Sequence, residues 1–252
     1  MMRILVTNDD GIHAPGLKVA EAIAKKLSKD ITVVAPDYEQ SGASHSLTLT
    51  LPLRLRKLNA RKFAVRGTPT DCVMMAVHEI MKGKKPDLII SGVNRGSNLG
   101  EDVTYSGTVA AAMEGTLLGI PSIALSQKIN PGHPVKWATG EQHAPGLIRK
   151  LLKTGWPRGV LINVNFPDVV ADAVAGVQVV MQGQRDLTDL VLDHRIDARD
   201  VPYYWIGFRR QNGKPKRGTD LRSVDEGYIA VTPLQLNLTH GASLKALRAA
   251  LG

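Results

Sequence analysis

Short β-rich apolar runs alternate with amphipathic stretches through the first two-thirds of this 252-residue chain. That alternation narrows the fold more than any other feature. Arg3-Ile4-Leu5-Val6-Thr7 predicts a short buried strand. Leu17, Ala20, Ile23, Ala24 and Leu27 then fall on one helical face, with Lys18, Glu21 and Lys25 opposite. Ile31–Ala35, Asp87–Ser91, Pro121–Ser126 and Val160–Val164 predict further strands, and Thr48–Leu58 a hairpin or edge strand from its alternating Leu51, Leu53 and Leu55. Between them, Thr68-Pro69-Thr70-Asp71 opens a helix with Thr68 as N-cap, Thr108–Leu118 forms a small-residue helix, and Ala144–Leu152 another. Strands alternating with helices imply an α/β fold: a Rossmann-like, mostly parallel sheet flanked by helices.

The pattern breaks near Gly183. From there to about Gly227 the chain is rich in charge, Gly and Pro, with Tyr203-Tyr204-Trp205 as an aromatic island. It reads as an extended arm or hairpin, followed by a strand at Tyr228–Thr232 and a terminal helix at Ala242–Leu251. We therefore expect a Rossmann-like catalytic core over 1–182, and over 183–252 an arm, a returning strand and a helix of the same overall domain.

In a sheet of this kind ligands collect beyond the carboxyl ends of the strands. The first strand ends in Asn8-Asp9-Asp10-Gly11. An ordinary turn needs one Asp or Asn, and two adjacent carboxylates repel. Asp-Asp-Gly is nonetheless common in solvated turns, so the pair alone does not make a metal site. Two more polar loops change the balance: Gln40-Ser41-Gly42-Ala43-Ser44-His45 after the second strand, and Gly92-Val93-Asn94-Arg95-Gly96-Ser97-Asn98 after the third. If these strands are neighbours, one crevice gathers carboxylates, a hydroxyl and an amide oxygen. Such hard donors suit Mg²⁺ or Mn²⁺ better than Zn²⁺. Tyr105-Ser106-Gly107-Thr108 leads into the small-residue helix, so backbone N–H groups there can meet a phosphate, or Ser106 or Thr108 can serve only as a cap.

Other chemistries lack their motifs. No Gly-x-Gly-x-x-Gly follows the first strand, and no Walker-type phosphate loop, Asp-x-Asp after that strand or Gly-x-Ser-x-Gly elbow occurs. The seven histidines are scattered; His13 and His45 fall in the candidate loops and more often such residues bond within their own loop. Cys72 is the only cysteine, which excludes an intramolecular disulfide and a Cys-based zinc site. No apolar run approaches the roughly 20 residues of a membrane helix, and the first strand follows the N-terminus without a signal-peptide layout. These traits predict a cytoplasmic chain without a membrane partner. The net charge of +9 would draw anionic substrates, but basic residues are spread, with modest clusters at Arg54–Lys62 and Arg209–Arg217. Aromatics at 4% are too few for a base-stacking platform, so no dedicated nucleic-acid partner is expected.

The motifs together resemble those of the stationary-phase survival protein family SurE. They are Thr7–Gly16, Val34–Asp37 with Ser41–Ser44, Gly67–Cys72, Ser91–Gly100 and Tyr105–Ala112, then Tyr204-Trp205, Gly218–Asp220 and Asp225–Tyr228, in order along nearly the whole chain. The resemblance implies a metal-dependent phosphatase of nucleoside 5′- and 3′-monophosphates, in some members also of short polyphosphate. It implies one divalent cation per subunit, Mg²⁺ or Mn²⁺, on Asp9, Asp10, Ser41 and Asn94, with Asp9 or Asp10 as catalytic proton acceptor. Asn8, Asn98, Ser106, Gly107 and Thr108 then serve the phosphate. It also implies a C-terminal arm exchanged between subunits of a homodimer or homotetramer. The rival reading, a non-catalytic nucleotide- or RNA-binding regulator, rests on the basic charge. It predicts binding that survives metal removal and weakens steeply with salt.

Overall fold

The structure is a computed structural model that describes residues 1–185, 190–208 and 215–252. Residues 186–189 of the expected arm, and 209–214 of the basic cluster Arg209–Arg217, lie outside the described residues. In chain order the elements begin with β1 (Arg3–Thr7), α1 (Pro15–Lys25), β2 (Asp30–Pro36), β3 (Arg54–Asn59), β4 (Lys62–Arg66) and α2 (Pro69–Met75), which runs into a π-helical turn, Ala76–Ile80. Then come β5 (Leu88–Arg95), α3 (Asp102–Tyr105), α4 (Gly107–Leu117), β6 (Ser122–Gln127), α5 (Trp137–Thr154), β7 (Val160–Phe166) and β8 (Gly176–Val179). The chain closes with β9 (Leu190–Ile196), β10 (Pro202–Phe208), α6 (Asp220–Asp225), β11 (Tyr228–Gln235) and α7 (Gly241–Leu251).

Nine strands form one sheet in the order β3-β4-β2-β1-β5-β6-β7-β11-β8. The pairs β1/β2, β1/β5, β2/β4, β5/β6, β6/β7 and β8/β11 are parallel, and β3/β4 and β7/β11 antiparallel. The expected α/β architecture is therefore present. Successive side chains on β1 go to opposite faces. Ile4 and Val6 join Leu17, Ala20 and Ile23 of α1 and Ala144 and Ile148 of α5. Leu5 joins Ile89, Val34 and Val65 with Cys72, Val73 and Ala111 of α2 and α4. Because the chain leaves β1 toward β2 and β4 and returns at β5 on the other side, strand order reverses between β1 and β5. That reversal opens a crevice at their carboxyl ends.

Several elements differ from expectation for identifiable reasons. The run Thr48–Leu58 is strand only from Arg54; Pro52 has no N–H to give a ladder, and Leu51 stays exposed. The helix expected at Ala144–Leu152 extends over Trp137–Thr154 with Pro145 inside it. Proline denies the Glu141 carbonyl its helical partner, and the Lys26 ammonium takes that place at 3.3 Å while also pairing with the Glu141 carboxylate. Within the stretch read as extended arm, β9 and β10 form a separate antiparallel hairpin, whereas α6 folds back with Leu221 and Val224 packed on Leu99 and Ala230. No helix among the described residues is long and apolar enough to cross a membrane.

Candidate functional site

β2, β1 and β5 are neighbours, so the three polar loops do share one crevice. Asp9 sits just beyond β1, 4% exposed. The Gln40 N–H donates to its backbone carbonyl at 2.8 Å, tying the second loop to the first. Its side chain lies under the start of α4. The Thr108 hydroxyl donates to Asp9 Oδ1 at 2.5 Å. A Cβ on Gly107 would stand 2.8 Å from the Asp9 Cβ and 3.1 Å from Oδ2. Only glycine lets the helix terminus come this close. Burial pushes the Asp9 carboxyl up from 3.8 to about 6; the Thr108 hydroxyl pulls it down, and the Asp10 charge adds to the rise.

Asp10 is better solvated. Its carboxyl is raised by burial, held down by the Arg95 N–H that donates to Oδ2 at 3.2 Å, and raised again by the charge of Glu39. Glu39 lies one residue before the polar loop Gln40–His45 that the sequence marks. Its Oε1 accepts from the Ser41 hydroxyl at 2.7 Å. Only the charge of a neighbouring loop, invisible in one dimension, could have singled it out.

Asn94 reaches the crevice through an irregularity in β5. Ser91 pairs with Ala124 and Asn94 with Ser126, so β5 carries one extra residue there. Gly92, at φ +126°, permits it: a Cβ would lie 2.2 Å from the Leu125 carbonyl oxygen. Asn94 Nδ2 donates to the Gly96 carbonyl at 2.9 Å, which leaves Oδ1 as the atom of the amide that can accept a bond or ligate a cation.

The expected phosphate residues divide. Ser106 caps α4, its Oγ accepting from the Val109 N–H at 3.1 Å with its own proton still free to be donated. Thr108 turns its hydroxyl to Asp9 rather than outward. Asn98 is buried, one amide hydrogen committed to Ser126 Oγ at 2.8 Å. Asn8 is fully buried; its Nδ2 closes the turn onto the Gly11 carbonyl at 3.0 Å, while its Oδ1 is buried without a partner. His45 Nε2 lies 3.0 Å from Glu114 Oε2 on α4, and His13 is exposed. Thr68 and Asp71 form a full capping box, the role expected of them.

Among the described residues no Lys, Arg or His side chain pairs with Asp9 or Asp10, and no three His, Cys, Asp or Glu side chains converge as a metal cluster. Two adjacent carboxylates, one buried and neither held in an ion pair among the described residues, fit a divalent cation. Such an ion would complete its shell with neutral oxygens such as Ser41 Oγ, Asn94 Oδ1 and water, the habit of Mg²⁺.

Comparison with known proteins gives one consistent result. The family described as "Survival protein SurE" matches residues 4–189. The 5′-nucleotidase SurE of Parvibaculum lavamentivorans is 60% identical over 253 residues, covering 100% of this chain and 91% of the relative. That of Paramagnetospirillum magneticum is 59% identical, covering 99% and 95%. The crystal structure of the SurE protein from Aquifex aeolicus superposes with a TM-score of 0.86 at 39% identity, covering 99% of this chain and 100% of that one.

Proposed function

This chain belongs to the survival protein SurE family, and from that premise we propose that a divalent cation on Asp9, Asp10, Ser41 and Asn94 enables it to hydrolyse nucleoside monophosphates. The activity is that of a 5′-nucleotidase, a phosphoric monoester hydrolase, the name carried by relatives matching it from end to end. The observation that carries the metal assignment is the adjacent pair Asp9–Asp10, the first buried and neither in an ion pair among the described residues, at the point where strand order reverses.

When bound, the cation, one Mg²⁺ or Mn²⁺ per subunit, supplies Lewis acidity: it offsets phosphoryl charge and makes water a better nucleophile. The chain does the rest. Thr108 fixes the rotamer of Asp9, so the carboxylate need not reorganise when charge develops. Asp10, half-buried where Asp9 is buried, is the more open of the two to solvent and so the better placed to accept the proton of the attacking water. The Gly107 N–H at the start of α4, the Ser106 hydroxyl and Asn98 receive the phosphate. The same charge arrangement suits a 3′-phosphate and short polyphosphate. Copies associate as a homodimer or homotetramer through the arm, whose Tyr204 and Trp205 are 61% and 62% exposed.

Phosphate release from a panel of nucleoside monophosphates, in EDTA and then with Mg²⁺ or Mn²⁺ restored, tests the reading. Release only with metal supports it. Nucleotide binding without release under any metal would favour a binding regulator instead.

A further inference from the structure

Three asparagines meet where loop 94–98 crosses the ends of β6 and β7, and none is needed to build the sheet. Asn165, 1% exposed, grips the backbone of Asn98 from both sides. Its Oδ1 accepts from the Asn98 N–H at 2.8 Å, and its Nδ2 donates to the Asn98 carbonyl at 3.1 Å. That is the pairing a neighbouring strand would offer, supplied by a side chain. Asn163 Nδ2 donates to the same carbonyl at 2.9 Å, while its Oδ1 is buried without a partner. Asn98 Nδ2 in turn donates to Ser126 Oγ at 2.8 Å, and the Gly96 N–H to the Gln127 carbonyl at 2.9 Å.

Burying three amides at a sheet end is costly, and the lone Asn163 oxygen adds to that cost. Apolar residues would fill the same space more favourably. What the arrangement provides is a loop backbone fixed at Asn98, four residues after Asn94.

We propose that Asn165, backed by Asn163, is a positioning residue: it holds loop 94–98 so that Asn94 Oδ1 stands ready for the cation and Asn98 for the phosphate. This rests on the metal assignment above. Asn165 touches neither ligand and acts only through Asn98. The two bonds to Asn98 are separable. An Asp at 165 retains the acceptor for the Asn98 N–H but, ionised, faces its carbonyl with a second acceptor. Removing Asn163 takes one of two donors from that carbonyl.

The test is Mn²⁺ binding to the substrate-free protein, followed by calorimetric titration, alongside kcat, KM and thermal unfolding in EDTA. The proteins are wild type, Asn165→Ala, Asn165→Asp and Asn163→Ala, with Ile148→Val on α5 as a control for general destabilisation. We expect Asn165→Ala and Asn165→Asp to weaken Mn²⁺ and raise KM by about 10-fold each, the size typical of groups that orient ligands. Asn163→Ala should do so by less, and Ile148→Val should change Tm alone. If Asn165→Ala does not fold, Asn165→Asp, nearly isosteric, still decides. Unaltered Mn²⁺ affinity and KM in the Asn165 variants that fold, with only Tm lowered, would overturn the proposal. Wild type that neither binds Mn²⁺ nor releases phosphate would instead overturn the metal assignment on which it rests.

Discussion

The Thr108 hydroxyl donates to Oδ1 of Asp9, joining the first turn of α4 to the end of β1 across 99 residues of sequence. The bond favours the charged carboxylate and opposes the rise that burial imposes. A cation needs Asp9 ionised, so its affinity falls as pH drops through the Asp9 pKa. In Thr108→Val that fall should begin at higher pH, and kcat at neutral pH should drop by roughly 10-fold, whereas Thr108→Ser stays close to wild type. Mn²⁺ titrations from pH 5 to 8 read this directly; superimposable profiles for wild type and Thr108→Val would refute it.

Metal-free protein should respond to pH in the sense opposite to an ordinary surface aspartate. Asp9 is raised to about 6 in the folded chain against 3.8 when unfolded, so between those values the folded state binds the extra proton. Its contribution is complete below pH 3.8 and is lost as pH rises through about 6. The interval is worth on the order of 3 kcal/mol. In EDTA, wild type should therefore lose more stability between pH 5 and pH 7.5 than Asp9→Asn does, and Mn²⁺ should close that gap. Parallel denaturation curves for the two proteins would count against the burial argument.

Asp10→Asn separates charge from shape. The amide keeps the volume and can still accept from the Arg95 N–H, so the fold should survive with little change in Tm. Turnover should fall by about 100-fold or more, since even groups behind a ligand cost 10–100-fold. Removing the Asp10 charge also relieves Asp9, whose pKa should drop. Near-normal phosphatase activity in this variant would remove Asp10 from the site.

Much of this site was legible because strand ends announce themselves locally. Apolar runs stop at Asn8, at Pro36 and at Gly92, and the polar residues beyond them fall into one crevice once β2, β1 and β5 are known to be neighbours. The Thr68–Asp71 capping box was legible for the same reason: its partners lie three residues apart. What stayed hidden depends on distant partners. β4 has only Phe63, Ala64 and Val65 between two cationic ends, and Lys62 is neutralised by Glu21 of α1. Asp220 lies in a polar stretch yet is wholly buried. The N–H groups of Gly100, Gly183 and Leu221 all donate to it, two of them from far along the chain. Likewise Thr108 has a helix-start position, and nothing in its neighbours says that its hydroxyl belongs to Asp9.

Gly107 gives the sharpest test of that geometry. The family resemblance puts it among the residues that serve a phosphate; in the structure the group pressed against it is Asp9 itself, with Pro69 Cγ only 3.0 Å from where a Cβ would stand. Gly107→Ala must push the start of α4 away from β1 or rotate the Asp9 side chain off Thr108. Alanine favours the helix by its own propensity, so an isolated helix would gain. Here overpacking should outweigh that gain and cost about 1–3 kcal/mol. The displaced carboxylate should weaken Mn²⁺ binding by about 10-fold or more. A variant that unfolds at higher temperature and binds Mn²⁺ as wild type does would show that α4 has room to spare, and that Asp9 is not held by it.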